Sequence, residues 1–121
     1  MYDATVRAFD GADGAVMCAA VADYTPDRVS ETKIKKCDGD MCITLRRTQD
    51  IAAELGAHKG GRLLVGFALE THDEQVHAEA KLAKKNFDFI VLNSLRDAGA
   101  GFRGDTNKVT FIDHAGREEL P

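Results

Sequence analysis

The sequence lacks the residues and segments that mark several classes of protein. It has no tryptophan and two prolines, and its three cysteines are an odd count with no C-x-x-C pair, which argues against a zinc site or a disulfide framework. The longest fully apolar run, Ala15–Ala22, is far shorter than the roughly 20 residues of a membrane helix. No basic segment followed by an apolar one opens the chain, so we predict no signal peptide. We therefore expect a cytoplasmic protein whose three cysteines are reduced thiols.

The chain also lacks a surplus of basic residues. Its 16 lysines and arginines against 20 aspartates and glutamates leave a net charge of −4, which argues against nucleic-acid binding. The cations are nevertheless clustered in two stretches: Arg28, Lys33, Lys35, Lys36, Arg46 and Arg47, and then Lys81, Lys84 and Lys85. A solvated charged face is one interpretation. A site for a compact polyanion such as a nucleoside triphosphate is the other.

Short apolar runs bounded by turn residues predict a set of strands, most of them buried on both faces. They are Ala15–Ala20, Leu63–Phe67, Phe87–Leu92 and Val109–Ile112. Helical patterns separate these runs, which indicates crossover connections between parallel strands. We therefore expect an α/β fold, with a three-layer, Rossmann-like and mostly parallel sheet flanked by helices.

The helical patterns predict where the helices begin. Met1–Phe9 has apolar residues on one face, and Gln49–Leu55 follows Thr48, a residue suited to cap a helix. A longer helix follows the T-x-x-E capping box at Thr71–Glu74. Small apolar residues predict its buried stripe: Val76, Ala80 and Ala83.

Residues 33–46 are predicted to form a β-hairpin that protrudes from the sheet. Asp38-Gly39 is a strong signal for a two-residue turn. Beyond the turn, Met41, Ile43 and Leu45 alternate with more polar residues, as in a strand with one apolar face.

Polar residues follow the predicted strands at the edge where α/β proteins bind ligands. They include Asp23 after the first strand, Glu70 and Thr71 after the second, and Asn93 after the third. Each could equally cap a loop. Neither a P-loop nor a dinucleotide fingerprint is present, so these patterns alone indicate an α/β domain with a possible anion site.

Several motifs together resemble the phosphopantothenate–cysteine ligase domain of the bacterial bifunctional coenzyme A biosynthesis flavoprotein. They are A-A-V-A-D-Y at 19–24, K-I-K-K at 33–36, V-G-F-A-x-E-T at 65–71, K-x-x-x-K-N-x-D at 81–88 and G-F-x-x-D-x-N at 101–107. No single motif is specific, but their order and spacing are, and the resemblance spans nearly all 121 residues.

This resemblance implies a CTP-dependent ligase that joins 4′-phosphopantothenate to cysteine through an acyl-cytidylate. CTP would be a substrate and Mg²⁺ a cofactor, with FMN only where a decarboxylase domain precedes this one in the parent protein. A homodimer formed through the 33–46 hairpin is also expected. The alternative is a non-catalytic nucleotide-binding or dimerisation module. A dinucleotide oxidoreductase is disfavoured because the glycine fingerprint is absent.

The resemblance also implies roles for individual residues. Met17, Cys18 and Ala19 would approach the cytosine or ribose through their backbone, and Asp23 would contact the nucleotide by way of Mg²⁺. Lys33 would contact the nucleotide and would be the catalytic lysine that acts on the acyl-cytidylate.

Further nucleotide contacts are implied later in the chain. Phe67 would pack against the nucleoside, and Lys81 and Lys85 would hold the ligand from a helix. Four residues would meet the nucleotide at a helix N-terminus, which favours anions: Gln49, Asp50, Ile51 and Ala52.

The sequence departs from the family's pattern in two respects. Gln49 stands where the family has a proline. The family's glycine-rich strand–helix turn, its N-x-S-S-G segment and a C-terminal helix have no counterpart in residues 1–121. We therefore expect a partial synthetase domain, an excised piece that is inactive alone.

Overall fold

A computed structural model describes residues 1–36, 38–70, 72–94 and 107–120. They divide into a larger unit, residues 1–19 with 51–121, and a smaller unit, residues 20–50. No helix in these ranges has the length and apolarity that crossing a bilayer requires. In chain order the elements are α1 Tyr2–Phe9, β1 Gly14–Met17, β2 Tyr24–Pro26, β3 Leu45–Arg47, α2 Ile51–His58, β4 Leu63–Glu70, α3 Glu74–Lys84, β5 Phe89–Ser94, β6 Val109–Asp113 and β7 Arg117–Leu120.

The larger unit contains a five-stranded sheet in the order β1-β4-β5-β6-β7. The first three strands are parallel neighbours, and β6 and β7 are antiparallel additions. Helix α2 lies between β1 and β4 in the chain, and α3 lies between β4 and β5. The predicted α/β class with a largely parallel sheet is confirmed, while β7 was not predicted.

The helices α1, α2 and α3 pack on one face of this sheet. The two crossovers step across the sheet in the same direction, and right-handed connections then place their helices on the same side. One core cluster joins helix and strand residues: Phe9, Ile51, Leu55, Leu64, Ala68, Ala78, Leu82, Phe87, Ile90, Leu92 and Ile112. The described elements of this unit therefore form two layers.

The opposite face of the sheet, which we call the open face, carries exposed apolar side chains. Val16 is 60% exposed, Leu63 48%, Phe67 45% and Leu69 46%. The buried residues of the described helices pack instead with the strand residues of the other face. The prediction that the first two strands are buried on both faces is therefore wrong, because Val16, Leu63 and Phe67 are exposed on the open face, although Val65 between them is buried. For β5 it is confirmed, since Ile90, Val91 and Leu92 are all buried.

Helix α2 begins later and ends later than predicted. It starts at Ile51 and continues through Gly56 to His58. Thr48 does not cap it, because the Thr48 hydroxyl donates to the carbonyl oxygen of Ala22 at 2.7 Å. The hydroxyl instead links the two sides of the smaller unit.

Gly56 interrupts the sequence pattern of α2 but is required by its packing. A Cβ placed on Gly56 would lie 1.9 Å from the carbonyl oxygen of Lys85. The helix therefore passes closer to the α3–β5 connection than any side chain would permit, and the glycine marks a close approach rather than a helix end.

Helix α3 also begins at a different residue. Asp73 occupies the N-cap in a left-handed conformation, and Glu74 is the first helical residue rather than the third residue of a capping box. Thr71, the predicted cap, lies outside the described residues. The buried residues are Ala78 and Leu82, so the predicted stripe is wrong; Val76 is 65% exposed.

The smaller unit contains a hairpin, but its strands are not those predicted. Tyr24–Pro26 pairs with Leu45–Arg47 in antiparallel register, and residues 27–44 connect them. Met41 and Ile43 lie outside the strands and are exposed. Residues 33–36 are mostly lysine and offer no apolar face to pair with 41–45, so the local Asp-Gly turn signal does not determine the strand pairing.

A polar contact joins the amino ends of β4 and β5. The Lys59 ammonium donates to Asp88 Oδ1 at 2.8 Å, and the Leu64 N–H donates to Asp88 Oδ2 at 2.6 Å. Partial burial acts to raise the pKa of Asp88, but the bonds from Lys59 and Leu64 and the nearby positive charges outweigh it. The pKa of Asp88 is therefore held below its ordinary value.

We expect Asp88→Asn to lower the free energy of unfolding at neutral pH by about 1–2 kcal/mol, toward the low end for charged hydrogen bonds because this side chain is partly exposed. A carboxylate whose pKa is lowered by folding stabilises the fold at a pH above its unfolded pKa. This stabilisation is lost as the pH falls through the folded pKa. The difference from the wild type should therefore shrink in acid. Urea unfolding across pH, with exposed Glu79→Gln as the control, measures it. A pH-independent difference would contradict the assignment.

We expect Gly56→Ala to destabilise the fold by about 3 kcal/mol, the upper end of the range for overpacking. Helix propensity alone would favour alanine by about 1 kcal/mol, so the sign of the effect is diagnostic. Gly61→Ala is the control, because a Cβ there meets nothing within 4 Å. Thermal or urea unfolding provides the measurement, and a Gly56→Ala variant more stable than wild type would refute the close approach.

Candidate functional site

Two of the predicted nucleotide-binding segments meet at the carboxyl edge of the parallel strands. Strand β1 ends at Met17, which is paired with Gly66 of β4, so Cys18 leaves the sheet beside Phe67. Met17 packs partly into the core, whereas Cys18 and Ala19 are exposed. The backbone of residues 17–19 is thus presented at the edge where ligands bind in open α/β sheets.

Phe67 places an aromatic ring on the open face at this edge. Its pairing with Val91, and that of Leu69 with Asn93, put Phe67, Leu69 and Asn93 on the same face. The Asn93 amide donates to Asn107 Oδ1 at 2.6 Å. A half-exposed ring beside a carboxamide can stack on a planar base and hydrogen-bond its polar edge. Sequence reasoning gave Leu69 no role, and only its alternation with Phe67 along β4 would have indicated one.

At the start of α2, where an anion site is predicted, the described groups of the helix that could contact an anion are backbone groups. Ile51 is buried in the core and Ala52 is half-buried. The first turn of a helix presents N–H groups without intrahelical acceptors, which favours anions. Gln49 and Asp50 precede the helix as exposed residues of the smaller unit.

Lys81 and Lys85 lie toward the other edge of the sheet. Helix α3 leaves the carboxyl end of β4 and returns to the amino end of β5, and Lys85 follows its last residue. Its N–H donates to the Lys81 carbonyl oxygen at 3.0 Å. The larger unit therefore does not bring Lys85 beside Met17–Ala19 and Phe67. The role of the two lysines in holding the ligand stays a prediction.

Asp23 and Lys33 belong to the smaller unit. The backbone carbonyl oxygen of Asp23 accepts a hydrogen bond from the Thr48 N–H at 2.9 Å. The side chain of Asp23 is exposed. Lys33 is exposed within the 27–44 connection. Among the residues described, no group of three or more His, Cys, Asp or Glu side chains could hold a metal. One carboxylate such as Asp23 fits Mg²⁺ when phosphates and water complete its coordination.

Comparison with known proteins identifies the family. All of residues 1–121 match the profile described as DNA/pantothenate metabolism flavoprotein C-terminal domain. A cysteine/cysteine sulfinic acid decarboxylase from an unknown prokaryotic organism is 57% identical over 93% of this chain and 32% of its own length. The coenzyme A biosynthesis bifunctional protein CoaBC of Bacillus subtilis is 48% identical over 100% of this chain and 30% of its own length. The chain thus spans about a third of the length of these curated relatives.

Solved structures agree. The crystal structure of the C-terminal domain of CoaBC matches with a TM-score of 0.75 and 36% identity, covering 99% of this chain and 50% of that one. The DNA/pantothenate metabolism flavoprotein from Streptococcus pneumoniae matches in fold, with a TM-score of 0.78 at 20% identity over 98% of this chain and 61% of its own. The chain belongs to the DNA/pantothenate metabolism flavoprotein C-terminal domain family.

Proposed function

We propose that this chain is the nucleotide-binding part of a CTP-dependent phosphopantothenate–cysteine ligase. The observation that carries the proposal is the meeting of residues 17–19 with the exposed ring of Phe67 at the carboxyl edge of β1 and β4. The family match over the whole chain and the CoaBC relatives support it. Phe67 would stack on the nucleoside, and the backbone of 17–19 would contact the base or ribose.

The proposed reaction has two steps. A carboxylate is a poor acceptor for an amine, so the phosphopantothenate carboxylate first attacks the α-phosphate of CTP and pyrophosphate leaves. The amine of cysteine then attacks the acyl carbon of this mixed anhydride, CMP leaves with the electrons of the broken C–O bond, and the amine loses a proton. Phosphoryl and nucleotidyl transfers of this kind depend mainly on positioned positive charge.

The chain's own residues would supply that charge and orientation. Lys33 would place its ammonium group against the acyl-cytidylate; a ligand contact of Lys81 and Lys85 stays a prediction, since Lys85 lies toward the amino edge of the sheet. Asp23 would hold Mg²⁺, which when bound neutralises charge on the triphosphate. Backbone N–H groups at Ile51 and Ala52 would orient a phosphate oxygen. We place the reaction in the cytoplasm, where free thiols such as Cys18 and Cys42 stay reduced.

We further propose that residues 1–121 are a partial synthetase domain. Two observations support this: the apolar residues of the open face are exposed, and the chain covers half of the CoaBC C-terminal domain structure. A remaining portion of the domain that covers the open face would complete the site beside Phe67, so the chain alone would be inactive. FMN would be a cofactor only of a parent with a decarboxylase domain. The decarboxylase name of the 57% identical relative is not carried over, because the match covers 32% of that protein.

A non-catalytic nucleotide-binding or dimerisation module is the second candidate, and the smaller unit is the observation that favours it. Its large apolar side chains are exposed: Val21, Tyr24, Val29, Ile34, Met41, Ile43 and Leu45. Exposed apolar groups at this density mark an interaction surface. We propose that a second copy of the chain covers the 27–44 connection and its hairpin in a homodimer, whether or not the chain is catalytic.

The ligase proposal predicts that CTP binds more tightly than ATP and that Lys33→Gln weakens CTP binding about tenfold, since a hydrogen bond to a charged group contributes about 1.5–3 kcal/mol. Isothermal titration with each nucleotide and Mg²⁺ gives the two affinities. Lys35→Gln is the matched control, because it removes the same charge two residues away. Equal affinities for CTP and ATP, or no binding of either, would remove the main support for the ligase.

The dimer proposal predicts that Ile43→Ser shifts the chain toward monomer, because the substitution removes apolar surface from the proposed contact. Sedimentation equilibrium of the wild type and the variant measures the change. Val76→Ser, an equally exposed apolar residue on α3, is the control and should leave the mass unchanged. A monomeric wild type, or a dimer indifferent to Ile43→Ser, would contradict the proposed interface.

A further inference from the structure

The carboxyl-terminal end of α2 is closed by side chains from other segments. The last four carbonyl oxygens of a helix have no partner within it. The Asn86 amide donates to the carbonyl oxygen of Gly56 at 2.9 Å. The Arg62 guanidinium donates to that of His58 at 2.6 Å. Asn86 comes from a segment 30 residues away in the chain, so its bond is a tertiary one.

Asn86 occupies a conformation that few residues adopt. Its φ is +53°, in the left-handed region where asparagine and glycine are favoured. Its N–H donates to the carbonyl oxygen of Ala83 at 3.3 Å and so closes the end of α3. The preceding residue, Lys85, places its carbonyl oxygen against Gly56. One tight turn therefore both ends α3 and supplies the amide that bonds α2.

The bond fixes the orientation of a short helix. Helix α2 has eight residues, which is about 12 Å of rise, and it runs from the carboxyl edge of the sheet to the amino edge. Anchoring its far end at Gly56 therefore sets where Ile51 and Ala52 present their backbone. Asn86 lies at the amino edge with the end of α3, away from Met17–Ala19, and its side-chain amide donates to α2.

We propose that Asn86 is a positioning residue for nucleotide binding, acting through α2 rather than on the ligand. This inference rests on the proposed function, which assigns a nucleotide phosphate to the start of α2. The K-N-x-D motif at 85–88 then serves two purposes: Asp88 joins β4 to β5, and Asn86 holds the helix whose first turn meets the phosphate.

The test uses Asn86→Gly, because glycine accepts the left-handed conformation and the variant loses only the amide bond. We expect Mg²⁺–CTP to bind roughly threefold to tenfold more weakly by calorimetry, since small misplacements of binding groups are costly. We also expect the melting temperature to fall by about 4 °C. Asp113→Ala is the matched control. It removes bonds to the N–H groups of Ala115 and Gly116 in the β6–β7 turn and should lower the melting temperature without changing the CTP affinity.

Unchanged CTP affinity in Asn86→Gly would overturn the proposal, as would an equal loss in Asp113→Ala. Failure of the wild type to bind CTP would defeat the proposed function instead. In that case the backbone dynamics of Ile51 and Ala52, measured by nitrogen-15 relaxation, decide the matter. If Ile51 and Ala52 are more mobile in Asn86→Gly but not in Asp113→Ala, the result supports the positioning role. Equal mobility of these residues in the two variants refutes it.

Discussion

The handedness of two crossover connections is the constraint on which this structure depends. Strands β1, β4 and β5 follow one another across the sheet in chain order, and connections between parallel strands are right-handed as a rule. Connections of one hand place the helices on one side, as the core cluster shows, and because the three strands are parallel their carboxyl ends share one edge. The backbone of 17–19, the ring of Phe67 and the amide of Asn93 meet at that edge because of this geometry, although they are far apart in the sequence.

The two edges of the parallel strands have different roles. At the amino edge, side chains bond to backbone groups and to each other, as in the contacts of Asp88, Arg62 and Asn86. At the carboxyl edge, the described groups are an exposed ring, an amide and chain leaving the sheet. The described side-chain bonds are thus gathered at the amino edge, while the carboxyl edge is the one at which α/β proteins commonly bind ligands.

Apolar runs and helical periods were enough to predict the three helices and four of the five strands of the larger unit, because both signals are local; β7, Arg-Glu-Glu-Leu, has no apolar run and was not predicted. The predicted boundaries of α2 were wrong because tertiary contacts determine them. The Thr48 hydroxyl donates to the carbonyl oxygen of Ala22, and Gly56 packs against the carbonyl oxygen of Lys85. The prediction of the hairpin strands was wrong because strand pairing depends on the partner strand, which the Asp-Gly signal at 38–39 does not specify. Phe67 was expected at the site on resemblance, but its exposure could not be deduced, since a continuous apolar run does not reveal which face remains uncovered.

The two borders of the sheet differ in their readiness to accept another strand. β7, at one border, has the sequence Arg-Glu-Glu-Leu, and charges of this kind discourage pairing with a foreign chain. β1, at the other, has the sequence Gly-Ala-Val-Met and offers backbone groups with no such protection. Growth of the sheet is therefore directional: an added strand would join beside β1, next to the residues that lead into the carboxyl edge. A strand added there would lie beside the residues that follow Met17.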